Sequence, residues 1–364
     1  MIYSRYVVPL VVAAAITMIS SVSCHKNGSG AVVPDPFLKD IAPFPVGVSV
    51  GYKDLTSNVS YQTVVRNEMS SVSVENAQKW AGLHPEQNRF DFTQADYIVE
   101  WARKNGQRVH GHNLLWHSYN PGWVTAFQGD SAAWENLMKT HIQTVLQHFR
   151  GRVASWDVVN EAFMDDGRLR NVETNPKDGS IWRQKLGPDY VARAFQYARA
   201  ADPTVQLFYN DYGQESKPAK VKATLDMVAD FKKRNIPIDG LGIQMHMGVS
   251  QANDGIRNVI QQFAGTGLPV HISELDILAS DWKKDPTLQY TDALQTKQAD
   301  KYRFIAQTYK ALVPKPQQFG ITTWNVGDTD SWITKQGYTD WPLLFDQDYK
   351  RKKTYYAFAE GLKN

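Results

Sequence analysis

SAAWENLMKTHIQTVLQHFRGRVASWDVVNEA, residues 131–162, changes its apolar period once. In its first part Trp134, Leu137, Met138, Ile142, Val145, Leu146 and Phe149 recur at intervals of three and four, which predicts a helix over 131–150 with one buried face. VASWDVVN (153–160) is then a short run rich in β-branched residues and predicts a buried strand. It stops at two polar residues, Asn160 and Glu161. A helix, a buried strand and a polar strand end form one unit of an alternating α/β fold.

The same alternation extends in both directions. Strand-like runs are predicted at 45–51 (PVGVSVG), 70–75 (SSVSVE), 108–112 (RVHGH), 153–160, 205–210 (VQLFYN), 241–245 (LGIQM), 269–273 (PVHIS) and 320–324 (GITTW). Helix-length segments lie between them. At 292–313, Tyr302, Ile305, Tyr309 and Leu312 share one face, and 218–234 and 189–201 are two more. Eight β-then-α units predict a single (β/α)8 TIM barrel, a fold that runs to about 250 residues or more as one domain. A doubly wound sheet would suit six strands better. The chain carries neither G-x-G-x-x-G after a strand nor G-x-x-x-x-G-K-[ST], so nucleotide-binding signatures are missing.

Composition narrows the possibilities. Forty Lys+Arg against 37 Asp+Glu leave a net charge of +3, too small and too dispersed for a nucleic-acid partner. Hydrophobic content of 42% with 21% charged residues excludes wholesale disorder. Cys24 is the single cysteine, so there is no intrachain disulfide. Before it come Arg5, an apolar stretch at 6–20, and the small residues Ser21, Val22 and Ser23. The stretch is shorter than the ~20 residues of a membrane span and reads as a secretory signal over 1–24. Small residues leading into Cys24 resemble a bacterial lipoprotein signal with lipid on that cysteine, although Ser21 stands where Leu is usual. Ordinary cleavage that leaves a free thiol is the alternative. Residues 25–36 form a Gly/Ser/Pro-rich tether, and 37–364 the catalytic domain. Export across the bacterial inner membrane, membrane contact only through the Cys24 lipid, and a monomer are expected.

In such barrels chemistry sits at the C-terminal strand ends. Here those ends carry Glu75, Asn76 and Lys79; His112, Trp116 and His117; Asn160 and Glu161; Asn210, Asp211 and Tyr212; Gln244 and His246; Glu274 and Asp276; Trp324 and Trp332. Each buried polar group must find a partner, so polar sets at seven consecutive strand ends are hard to explain as packing. Amides and carboxylates bind hydroxyls, and indoles cover sugar faces; the chain has 11 Trp, 17 Tyr and 15 Phe. Glu161 and Glu274 form the carboxylate pair that glycoside hydrolysis requires. The apolar strand before Glu161 predicts a carboxyl kept protonated by burial, whereas His246 and Lys79 would hold Glu274 ionised.

These residues resemble glycoside hydrolase family 10 endo-β-1,4-xylanases. WDVVNEA (156–162) is similar to the family's acid/base motif and HISELDI (271–277) to its nucleophile motif. SVENAQKW (73–80), HNLLWH (112–117), LFYNDY (207–212), GIQMH (242–246) and TTWNVGDTDSW (322–332) match its other blocks, in order. The resemblance implies xylan and xylo-oligosaccharides as substrate, a retaining double displacement, and no metal or cofactor. It implies that Glu161 is the acid/base and Glu274 the nucleophile. Asn160 would bind the 2-hydroxyl of the −1 sugar, and His246, backed by Asp276, would orient Glu274. Lys79, His112, Trp116, Gln244, Trp324 and Trp332 would line the −1 subsite. Glu75 and Asn76 would bind the −2 xylose, and Tyr212 would stack on the aglycone side. The sequence departs from the pattern at Gln78 (usually Met), Gly213 (commonly Asn) and Asn325 (commonly Gly). Asn325 is expected to alter the floor of the glycone site, and Gly213 to weaken an aglycone contact.

Three other readings stand beside this one. His110-Gly111-His112 would suit a metal-dependent hydrolase, but that motif usually ends the first strand and here it lies on the third, so His110 reads as a core histidine. A sugar-capturing surface lipoprotein would not need both glutamates. Cleavage of cello-oligosaccharides on the same fold depends on clearance around the −2 sugar, which sequence does not set.

Overall fold

The computed structural model describes residues 35–363, so Cys24, the signal segment and most of the tether lie outside the described residues. The strands are β1 (Val46–Val50), β2 (Ser71–Val74), β3 (Arg108–Trp116), β4 (Ser155–Asn160), β5 (Gln206–Asp211), β6 (Gly240–Ile243), β7 (His246–Gly248), β8 (Val270–Leu278) and β9 (Gln318–Thr323). They hydrogen-bond in the order β6-β5-β4-β3-β2-β1-β9-β8-β7, and β6 pairs back onto β8, closing the sheet. Every pairing is parallel. The predicted single (β/α)8 barrel is the fold, with β7 as a short ninth strand that places His246 opposite Asp276 of β8.

The helix predicted at 131–150 spans Ser131–Phe149 and starts where Asp130 accepts the Ala133 N–H at 2.9 Å. Its seven predicted apolar positions are all buried. Asp292–Leu312 buries Tyr302, Ile305 and Tyr309, leaving Leu312 half-buried at the end. It packs against the last helix, Lys353–Leu362. Buried Glu68 ties the first described helix to the last: it accepts from Leu38 N–H (3.0 Å), Arg351 (2.7 Å) and Tyr355 OH (2.9 Å). No helix among the described residues is long and apolar enough to cross a membrane.

Two strands run past their predicted ends. β3 continues from His112 to Trp116, and β8 from Ser273 to Leu278, so Glu274 and Asp276 lie within a strand. The reason is that a barrel buries polar side chains in its interior, so a polar residue does not end the strand as it would at a solvent edge. Register shifts fall at His112/Leu115, Asp157/Val159 and Ile272/Leu275, towards the C-terminal strand ends, and at Val270/His271, at the start of β8. Such irregularities re-aim side chains near active sites.

The interior is filled in layers. Low in the barrel, Phe208 packs on Phe319 (4.5 Å between rings) and edge-on to His110 (5.6 Å), and His110 lies edge-on to His271 (4.9 Å). Above them Asp157 meets His110 Nε2 at 3.0 Å and His112 Nδ1 at 2.9 Å. Burial alone would raise the Asp157 carboxyl, but the two imidazoles outweigh it and hold it well below the usual carboxylate range. His110 is thus a core histidine, as its position on the third strand suggested. Gly240 and Gly242 make room for this stack: a Cβ would come within 2.2 Å of the Phe208 ring and of Asn210 Oδ1 respectively.

Candidate active site

The C-terminal strand ends open into a groove of about 1340 Å³. All the site residues predicted for the barrel line it except Asp276, which is fully buried behind His246.

Glu161 follows β4 in a left-handed conformation, φ +56°. That backbone is held on both sides: its N–H donates to Asn210 O (2.9 Å), and Arg170 Nε donates to its carbonyl (2.8 Å). Strain of this kind persists where surrounding contacts over-determine it. The carboxylate accepts from Trp116 Nε1 (2.9 Å), Gln244 Nε2 (3.0 Å) and Asn160 Nδ2 (3.2 Å). The apolar surroundings expected from its strand are therefore not what it meets. The donors come from β3, from the segment after β6 and from the residue before it.

Glu274 is only 4% exposed. Asn210 Nδ2 donates to Oε1 (2.7 Å), and His246 Nε2 lies 3.2 Å from Oε2. Burial would raise this carboxyl; the charge of His112 and the hydrogen bond and charge of His246 prevail and lower it. Burial would conversely lower His246, but Asp276, 2.9 Å from Nδ1, together with Glu274 pushes it up to about 10. A carboxylate oxygen faces each ring nitrogen, so the protonated ring donates from both. Asp276 Oδ2 also accepts from Trp332 Nε1 at 2.8 Å. Lys79, 8% exposed, donates to Asn76 Oδ1 (3.0 Å), and its ammonium lies over the rings of Trp116, Tyr119 and Trp324. Desolvation lowers its pKa, against the pull of Glu75, Glu274 and Glu161.

Both glutamates belong to one chain of side-chain amides. Asn160 reaches Glu161 through Nδ2, while its Oδ1 accepts from Asn210 Nδ2 (2.9 Å), which also reaches Glu274. Asn210 stood at a predicted strand end without a role, and its place between Asn160 and Glu274 is the missed signal. Arg170 and Lys220 were also missed. Arg170 Nη2 donates to Tyr212 OH (2.7 Å), and Lys220 Nζ lies 3.4 Å from the Tyr212 ring centroid and 2.8 Å from Asp211 Oδ1. Both side chains are buried, though an irregular loop and the first turn of a helix gave no cue to it.

The departures can also be placed. Gln78 is fully buried, its Oε1 3.4 Å from the His112 N–H. Gly213 lines the groove at φ +67°, beside Tyr212. Asn325 is 2% exposed and sits behind the groove wall, its Oδ1 accepting from the Trp332 N–H at 3.2 Å.

Comparison with known proteins agrees with this architecture. The family model described as glycosyl hydrolase family 10 matches residues 38–361. Endo-1,4-beta-xylanase A of Cellvibrio japonicus is 37% identical over 347 residues, covering 89% of this chain and 56% of that protein; this chain thus spans just over half of that relative. Endo-1,4-beta-xylanase B of Thermotoga neapolitana is 33% identical, covering 93% of this chain and 94% of the relative. The structure of xylanase 10B from Thermotoga maritima superposes with a TM-score of 0.81 at 35% identity, covering 90% of this chain and 98% of that one. A mutant xylanase10C from Cellvibrio japonicus, solved in complex with xylopentaose, gives a TM-score of 0.83 at 34% identity over 90% of this chain and 69% of that one. The chain belongs to glycosyl hydrolase family 10.

Proposed function

We propose that this protein cleaves internal β-1,4-xylosidic bonds of xylan by a retaining double displacement, with Glu161 as acid/base and Glu274 as nucleophile. The observation that carries the reading is the amide chain Glu161–Asn160–Asn210–Glu274, which holds two carboxyl groups of unlike surroundings at one groove. Relatives named as xylanases, and a relative bound to xylopentaose, support xylan as the substrate.

In the first step Glu161 gives its proton to the glycosidic oxygen while a Glu274 oxygen attacks the anomeric carbon; the C–O bond to the leaving chain breaks as the glycosyl–enzyme bond forms. In the second step Glu161 takes a proton from water, the water oxygen attacks the same carbon, and Glu274 leaves as a carboxylate. The imidazolium of His246 and the amide of Asn210 keep Glu274 anionic and oriented, so little reorganisation is needed at attack. Asn160 binds the 2-hydroxyl of the −1 sugar in this reading, and its hold by Asn210 and Gln244 supports that role. His112, Lys79, Trp116, Trp324 and Trp332 complete that subsite, with Glu75 and Asn76 beyond it and Tyr212 on the leaving side.

Removing the two carboxyl groups should have different effects. Glu274→Ala should lower kcat on both xylan and an aryl β-xylobioside by about 10⁴-fold or more, because both need a nucleophile. Glu161→Ala should spare cleavage of the aryl glycoside relative to xylan, because a good leaving group needs little protonation, and azide should restore turnover in the second step. Near-normal aryl glycoside turnover by Glu274→Ala would contradict the assignment.

The pH profile tests the His246 pair. Its pKa is raised, so the charged form persists below about 10 and is lost above it. The stability this proton contributes is fully present below pH 6.5 and is lost as pH climbs through about 10. Asp276→Asn removes the neighbour that raises His246. The His246 ring, followed by NMR across a pH series, should then titrate lower by about one unit or more; an unmoved titration would contradict the pairing.

We also propose that lipid at Cys24 holds the enzyme at the cell envelope, on the strength of the small residues that lead into it. Cys24→Ala should then shift the protein from the membrane fraction to the soluble fraction with specific activity unchanged. A wild-type protein whose mature N-terminus carries an unmodified thiol by mass spectrometry would contradict this.

A further inference from the structure

TTWNVGDTDSW (322–332) contains a residue that the reaction above leaves unused. Asn325 has φ +80°, a left-handed backbone that glycine adopts without strain. Asn is among the residues that tolerate a left-handed backbone. Its side chain is the chemical difference, and the structure gives that side chain a partner.

Trp332 opens a four-residue helical turn, Trp332–Lys335, whose first N–H groups have no partner within the turn. Ser331 Oγ takes the Ile333 N–H at 3.1 Å, and Asn325 Oδ1 takes the Trp332 N–H at 3.2 Å. Asn325 is in turn anchored to the barrel: its own N–H donates to the Oγ of fully buried Ser49 in β1 at 2.8 Å. At the other end, the Trp332 indole donates to Asp276, which holds His246 against Glu274. The indole ring also lies edge-on to the His246 ring, with centroids 5.0 Å apart, and lines the groove.

We propose that Asn325 is a positioning residue for the −1 subsite: its amide oxygen fixes the backbone of Trp332, so that the indole bridges the Asp276–His246 pair and the bound sugar. A glycine here would accept the same backbone but leave the Trp332 N–H without this acceptor, so the backbone beneath the indole would lose its tie to the segment that follows β9. The inference rests on the xylanase reading for its substrate and on geometry alone for the brace.

Asn325→Gly is a clean probe, because glycine accepts φ +80° without strain and the fold should be retained. Thermal melting should show a cooperative transition close to the wild type. With an aryl β-xylobioside, KM should rise about two- to tenfold, the range for one lost hydrogen bond, with kcat changing less. In a spectrum of ¹⁵N-labelled protein without substrate, the Trp332 indole N–H resonance, assigned from Trp332→Phe, should move because its bond to Asp276 loosens. An indole resonance that stays in place overturns the proposal, and so does an unchanged KM. The resonance is read without substrate, so failure of wild-type enzyme on xylosides would sink the xylanase reading while this arm still tested the brace.

Discussion

A carboxylate buried to 4% exposure at the mouth of the barrel is the constraint on which the rest of the site depends. An unpaired charge there would be costly enough to neutralise the group or to unfold its surroundings. Glu274 escapes that cost because an imidazolium and an amide face its two oxygens. The imidazolium needs its own anion, Asp276, and Asp276 needs the indole of Trp332. The amide of Asn210 is shared with Asn160, and Ser273 Oγ donates to its oxygen at 2.6 Å. The partners come from β4, β5, β7, β8 and the segment after β9, so only a closed parallel barrel assembles the set. Its eight strands point the same way, and their C-terminal ends converge on one rim.

The same constraint accounts for the polar interior below the site. Asp157 meets His110 and His112, and the proximity of His112 is the largest influence that offsets the burial of Glu274, against a smaller opposing one from Asp157. Apolar packing alone would leave the Glu274 carboxylate without that support. Gly242 belongs to this requirement too, since any side chain there would strike the Asn210 amide that holds Glu274.

Much of this was legible in the sequence. Period changes such as that at 131–162 marked each βα unit, and abrupt polar strand ends marked the groove. What escaped was whatever depends on two strands at once. The run WDVVN before Glu161 is apolar, yet the donors to its carboxyl group come from Trp116 and Gln244 on other segments. β8 runs past Glu274 because an inward polar residue in a barrel is still in a strand. Lys220 lies in a segment whose sequence predicts only a helix, and its place in the first turn, over Asp211 and Tyr212, buries it. Asn325 was noticed as a departure, and only its contacts showed that it faces the indole loop and not the sugar.

The central claim is that Glu274 is an anion poised to attack carbon and not a base that activates water. The two roles require different spacings: about 5–5.5 Å between carboxyl groups for a nucleophile and roughly 6.5–9.5 Å for a base with water between. They also yield different products. Proton NMR of the first reducing sugar released from a xylo-oligosaccharide, recorded before mutarotation, distinguishes them. The account predicts the β anomer as the first product; an α anomer formed first would contradict it.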